Sequence, residues 1–186
     1  MTLLLTFRQV YHIILGMTVI NLFAEPSAGK STTAAGLFFL MKQKGYNVEL
    51  ISEYAKQCVW EDRKKTLDDQ LYITAKQNHQ LERLRGKVDY VITDSPLILG
   101  ILYSRNSSRY PSFHKLINEV FSSYKNVNVL LKRVKPYQPI GRLQTEEQAK
   151  AVREELVKIM ADYKILAYEM DGDLDAPQKI FSLLTK

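Results

Sequence analysis

The chain has 186 residues, 46% of them hydrophobic and 25% charged, with a formal net charge of +6. That size fits one ordinary domain with a sizeable core, and that charge favours a polyanionic ligand, whether a nucleotide or a nucleic acid. A single cysteine, Cys58, excludes an internal disulfide and fits a reducing, cytoplasmic setting, and no Pro-rich, Ser-rich or repeated tract marks a linker or a solenoid.

Residues 1–16, MTLLLTFRQVYHIILG, are apolar, but Arg8, Gln9 and His12 break the run. A spanning helix needs roughly 20 apolar residues, and a signal peptide needs a basic start and a small-residue cleavage site. The stretch therefore reads as an extension before a single domain of residues 17–186, with no membrane segment.

TVINLFA (18–24) is a near-continuous apolar run, the pattern of a strand buried on both faces. KSTTAAGLFFLMKQKG has helical composition, with Gly45 placed to end it, and NVELIS is a second short strand. Residues 66–87 read as one long helix with Leu67, Leu71, Ala75 and Leu81 on its apolar stripe. VDYVITDSP (88–96) is a third strand, YPSFHKLINEVFSSY a helix, and NVNVLLK (126–132) a fourth strand. A helix opened by Thr145, with glutamates in its first turn, follows; KILAYEM and DAPQKIFSLLTK supply a fifth strand and a closing helix. Strands alternating with helices predict an α/β fold with a doubly wound, parallel five-stranded sheet, whose ligands sit at the carboxyl ends of the strands.

Between the first strand and the first helix stands Ala24-Glu25-Pro26-Ser27-Ala28-Gly29-Lys30-Ser31. It has the frame of a phosphate-binding P-loop with alanine in place of the first glycine. Such a loop needs inward backbone N–H groups, a helix start aimed at phosphate, a lysine for the outer phosphates and a hydroxyl for Mg²⁺. Gly29, Lys30 and Ser31 supply the second half, and Thr32 adds a hydroxyl. Pro26 has no N–H, so the donors must come from residues 27–31. Ala24 keeps the turn only at negative φ, and Glu25 is expected to point outward because a carboxylate facing phosphates repels them.

Asp94 closes the third strand, where a carboxylate can support the Mg²⁺ held by Ser31. Glu53 closes the second strand and could take a proton from an attacking hydroxyl; the competing reading is a helix-start acid. Ser95 has no strand-turn-helix elbow and no histidine placed to serve it as a nucleophile. Between the fourth strand and the next helix, Pro136, Pro139 and Gly141 break regular structure where Arg133, Lys135 and Arg142 cluster, as in a basic lid over phosphates. Arginines in such a lid can stabilise charge during transfer. From Lys125 to Arg142 there are five basic residues and no acid, and Arg105, Arg109 and Lys115 form a second such segment. Gln70, Thr74 and Gln77 recur at helical spacing and could read a base or sugar, or simply face water. Tyr54, Trp60 and Tyr72 could stack on a base, although aromatic residues more often pack in cores. Cys58 and three scattered histidines have no metal-ligand spacing.

INLFAEPSAGKSTTAAGLF, ELISEYAK, DYVITDSP and VKPYQPIGRLQTEEQA together resemble the P-loop kinases of tailed-phage genomes. Those are similar to thymidylate-kinase-like proteins, among them 5-hydroxymethyluracil DNA kinases, and to the ribosylnicotinamide kinase domains of NAD salvage. The resemblance runs from about Thr18 to the C-terminus. It implies a P-loop NTPase fold of nucleotide-kinase type and ATP with Mg²⁺ as donor. Gly29 to Thr32 would sit on the phosphates, Asp94 beside the metal, Glu53 at the acceptor and Arg142 in the lid. The expected acceptor is a nucleoside, a nucleotide or a modified DNA base, in the host cytoplasm if the chain is phage-encoded. A nucleic-acid partner, a homodimer, a partner-coupled ATPase and a non-catalytic nucleic-acid binder all stay open.

Overall fold

The computed structural model describes residues 16–104, 112–140 and 145–185. The expected extension lies, apart from Gly16, outside the described residues, as do Arg105, Arg109 and Arg142.

Five strands, β1 (Thr18–Phe23), β2 (Val48–Ile51), β3 (Tyr90–Thr93), β4 (Lys125–Lys132) and β5 (Tyr168–Asp171), form one sheet in the order β2-β3-β1-β4-β5. All four pairings are parallel, so every strand ends at the same edge. Among the described residues the helices are α1 (Lys30–Gln43), α2 (Tyr54–Trp60), α3 (Lys64–Asp68), α4 (Gln70–Glu82), α5 (Leu99–Ser104), α6 (Phe113–Ser122), α7 (Glu146–Asp162) and α8 (Ala176–Leu184). This is the predicted doubly wound α/β architecture. None of these helices is long and apolar enough to cross a membrane.

All six residues of β1 are buried because both faces of the sheet are covered. Val19 and Phe23 pack with residues of α5, α6 and α7, including Ile101, Ile117 and Leu156. Ile20 and Leu22 pack on the other face with Leu37 and Met41 of α1 and Ile180 of α8. Gly45 ends α1 as its position suggested: at φ 79° it lets its own N–H reach Lys42 O and that of Tyr46 reach Met41 O, both at 3.0 Å. Thr145 opens α7 in a capping box with Gln148.

Two expectations need correction. The single helix over 66–87 is broken: α3 stops at Asp68, and the Asp69 side chain accepts from Tyr72 N–H to start α4 afresh. The buried face of α4 is accordingly Ile73, Gln77 and Leu81, while Leu71 is 43% exposed. The short helix α5 stands where no helix was expected. Its sequence LGILYS is buried except for Tyr103, so it shows no apolar and polar alternation to read.

Candidate functional site

In this strand order β1 is central, with β3 on one side and β4 on the other, and the loop after β1 opens into the crevice at their carboxyl ends. Ala28 N–H donates to Glu25 O at 3.4 Å, and Gly29, the N-cap of α1, has φ 90° and ψ 10°. That is a left-handed conformation that glycine adopts at little cost. Ala24 keeps negative φ, so losing the first glycine does not strain the entrance. Ser27 is the loop's non-glycine residue at positive φ, 70°, and its hydroxyl accepts from Gln138 N–H at 2.8 Å.

Lys30 folds over the loop, its Nζ donating to Ala24 O at 3.0 Å and to Glu25 O at 3.4 Å. Ser31, at the start of α1, donates its hydroxyl to Asp94 Oδ2 at 2.5 Å. Asp94 directly follows β3, whose register with β1 pairs Asn21 with Thr93. The sheet therefore sets the distance between the P-loop hydroxyl and this carboxylate. The other oxygen, Asp94 Oδ1, is buried without a hydrogen-bond partner. An orphaned carboxylate oxygen beside a P-loop hydroxyl fits Mg²⁺, which takes one or two protein oxygens and draws the rest from water and phosphate. Among the described residues no group of three or more His, Cys, Asp or Glu could hold a metal.

Glu25 corrects an expectation. Its side chain is 7% exposed, and its Oε1 lies 3.7 Å from Arg133 Nε. The Arg133 side chain is itself 10% exposed, and its Nη1 reaches Glu146 Oε1 at 3.0 Å, an ion pair without an aligned hydrogen bond. Arg133 thus braces the loop entrance against the start of α7, and it lies over the Tyr137 ring with 5.6 Å to the centroid. The repulsion that was to turn Glu25 outward is met by a cation brought in from beyond β4. The structure ties the 133–140 segment to the loop at Glu25 and at Ser27, whereas Arg142 lies outside the described residues.

A cavity of about 300 Å³ opens beside the loop. Pro26 and Lys30 line it together with Glu53, Ser95 and Pro96 from the strand ends, and α3 and α4 add Leu67, Asp68, Gln70, Ile73 and Thr74. Glu53 is the N-cap residue of α2, as the helix-start reading has it, although its side chain makes no cap bond. Tyr103 of α5 also lines the cavity, and 44% of its surface stays accessible. At its hydroxyl end, burial pushes the phenol well above its ordinary range, and the Glu53 carboxylate adds to that. Tyr103, Asp68 and Lys56 are wall residues that sequence reasoning missed; the broken helix hid Asp68 and the unforeseen α5 hid Tyr103.

The stripe of Gln70, Thr74 and Gln77 does come to this cavity. Gln77 is 4% exposed and already employed: its Oε1 accepts from Tyr54 N–H at 3.3 Å and its Nε2 donates to Thr93 Oγ1 at 3.4 Å. It joins α4 to α2 and β3 rather than facing water. Tyr54 and Tyr72 meet edge to face at 6.0 Å and Trp60 is 62% exposed, so these aromatics neither line the cavity nor form core.

A family model described as an AAA domain matches residues 20–176. Among solved structures, a deoxyadenosine kinase from M. mycoides with bound dATP is similar at TM-score 0.59 and 20% identity, covering 90% of this chain and 100% of that one. A shikimate kinase from Bacteroides thetaiotaomicron is similar at TM-score 0.50 and 16% identity, covering 92% and 99%. At such identities these two likenesses speak for the P-loop kinase fold. A search of curated proteins found no match.

Proposed function

The chain belongs to this AAA-domain family, and on that premise we propose that it is an ATP-dependent phosphotransferase acting on a hydroxyl of a small acceptor. One observation carries the reading: a single cavity is lined both by Lys30 of the phosphate loop and by Glu53. Donor phosphates held over Gly29 to Thr32 would then face an acceptor held beside a carboxylate. Ser31 and Asp94 would hold Mg²⁺, which when bound offsets charge on the outer phosphates.

In the transfer the bond between the γ-phosphorus and the bridging oxygen of ATP breaks, with ADP leaving. A bond forms from the acceptor oxygen to that phosphorus, and the hydroxyl proton passes to the Glu53 carboxylate. Little covalent chemistry falls to the protein, so alignment of the two oxygens and charge stabilisation supply most of the rate. Lys30 keeps the outer phosphates in place, and Arg133 fixes the loop entrance.

The cavity also bears on the acceptor. Its described lining brings two carboxylates, Glu53 and Asp68, and two ammonium groups, Lys30 and Lys56. With Lys30 directed to the donor, a phosphate on the acceptor would meet more negative than positive charge. This favours a nucleoside over a nucleotide, and a size of about 300 Å³ is that of a small-molecule site. The sequence resemblance to tailed-phage kinases keeps a hydroxymethylated uracil in DNA as a second acceptor and nicotinamide riboside as a third.

The test is transfer of radiolabelled γ-phosphate to a panel of nucleosides, nucleotides, nicotinamide riboside, and DNA with and without hydroxymethylated bases. Labelled product with an unphosphorylated small acceptor is the expected result. ATP consumption that needs no acceptor would replace the kinase reading with a partner-coupled ATPase.

A further inference from the structure

Gly172 directly follows β5, and its N–H donates to Lys132 O at 2.8 Å. It comes so close to the phosphate loop that a Cβ built on it would lie 2.2 Å from Ala28 O and 3.0 Å from Lys132 O. Both obstacles are backbone, which no side-chain rotation relieves. The contact is mutual, since a Cβ on Gly29 would lie 3.3 Å from Gly172 O.

The atom that Gly172 meets belongs to the peptide joining Ala28 to Gly29. Among the described residues no peptide bond is cis, so the Gly29 N–H points away from Ala28 O across that planar unit. With Ala28 O turned to Gly172, the Gly29 N–H is turned the opposite way. Gly29 N–H is one of the few donors the loop has, because Pro26 offers none.

We propose that Gly172 is a positioning residue for nucleotide binding: its bare Cα is the seat that holds the Ala28–Gly29 peptide with its N–H directed at phosphate. The inference rests on the phosphate-loop reading above and goes beyond it. It makes the unit of β5 and the loop after it part of the nucleotide site without supplying a group that touches the nucleotide.

Gly172→Ala is the direct test, and Gly36→Ala is its control. Gly36 lies on α1, where a Cβ would lie 2.8 Å from Pro177 Cγ, so its substitution disturbs a different contact, that of α1 with α8, away from the loop. The readouts are the Kd for ATP by calorimetry and the melting temperature of each variant without ligand. Gly172→Ala is expected to raise the Kd by about tenfold or more, roughly 1.4 kcal/mol. Gly36→Ala should lower the melting temperature but leave the Kd within about twofold of wild type. An unchanged Kd for folded Gly172→Ala overturns the proposal, as does a Kd that rises equally in both variants.

Should Gly172→Ala not fold, the wild type decides by amide NMR. A Gly29 N–H resonance that shifts on adding inorganic pyrophosphate supports the proposal, and one that stays still while Ser31 shifts overturns it. If the wild type binds neither ATP nor pyrophosphate, the phosphate-loop reading itself fails. Wild-type binding with an indifferent Gly172→Ala removes only the present inference.

Discussion

Ser31 and Asp94, 63 positions apart in the chain, are joined by a hydrogen bond of 2.5 Å between the start of α1 and the end of β3. The second oxygen of Asp94 is buried and unpartnered, so the carboxylate is only half satisfied by the protein.

Asp94→Asn keeps an oxygen for the Ser31 hydroxyl and removes the charge, so it separates metal support from loop architecture. The expected outcome is a rise of about 10- to 100-fold in the Mg²⁺ concentration that half-saturates activity, with the melting temperature close to wild type. Activity titrated with Mg²⁺ at saturating ATP measures it. An unchanged Mg²⁺ requirement would take Asp94 out of the metal's surroundings.

Lys30 is held over the loop by two carbonyls, Ala24 O and Glu25 O, so its ammonium is positioned before any phosphate arrives. A hydrogen bond to a charged group contributes about 1.5–3 kcal/mol, so Lys30→Ala should weaken ATP binding by about 10- to 100-fold. Lys30→Arg should restore little, because a planar fork cannot replace a compact ammonium at the same two carbonyls. Equilibrium binding of ATP is the check, and wild-type affinity in Lys30→Ala would end the phosphate-loop reading.

Arg133 and Glu25 form a nearly buried ion pair, and removing Arg133 leaves the Glu25 carboxylate without its cation, whereas Arg133 keeps Glu146 when Glu25 is removed. Arg133→Ala should cost about 3–5 kcal/mol of stability, and Glu25→Gln in the same chain should recover part of it. Urea unfolding measures both. A variant of full stability with depressed turnover would instead assign Arg133 to the transferring phosphate, the role first read for it in the basic lid.

Much of this was legible because its cause is local. β1 announces itself by an unbroken apolar run, since a strand covered on both faces has no polar side to display. Gly29 to Ser31 read as a turn and helix start after a strand, and Asp94 as a carboxylate closing another strand, because each is set by its own few neighbours; that Ser31 meets Asp94 is the work of the sheet. Glu25 could not be read that way: its surroundings are set by Arg133, which lies 108 positions away and reaches it only through the pairing of β1 with β4. The break at Asp69 was hidden because an aspartate can stand within a helix or cap one, and the Tyr72 N–H that decides the matter is a feature of three dimensions. Gly172 gave no signal at all, since a glycine after a strand reads as a turn.

Glu53 lines the cavity with Lys30, and it caps α2 only through its backbone. If its carboxylate takes the acceptor proton, Glu53→Gln should lower kcat by about 10²- to 10⁴-fold while leaving the Kd for ATP unchanged. Glutamine keeps the shape and a hydrogen-bond acceptor, so the KM for the acceptor should move little. Tyr103→Phe is a useful companion, because it removes a phenol hydroxyl from the wall of the same cavity and leaves the carboxylate; it should alter the acceptor KM more than kcat. Steady-state rates with the acceptor found by the radiolabel panel, set beside ATP binding, distinguish the roles. Parallel loss of ATP binding and turnover in Glu53→Gln would move Glu53 from proton acceptor to support of the phosphate site, leaving the base to be sought elsewhere on the cavity wall.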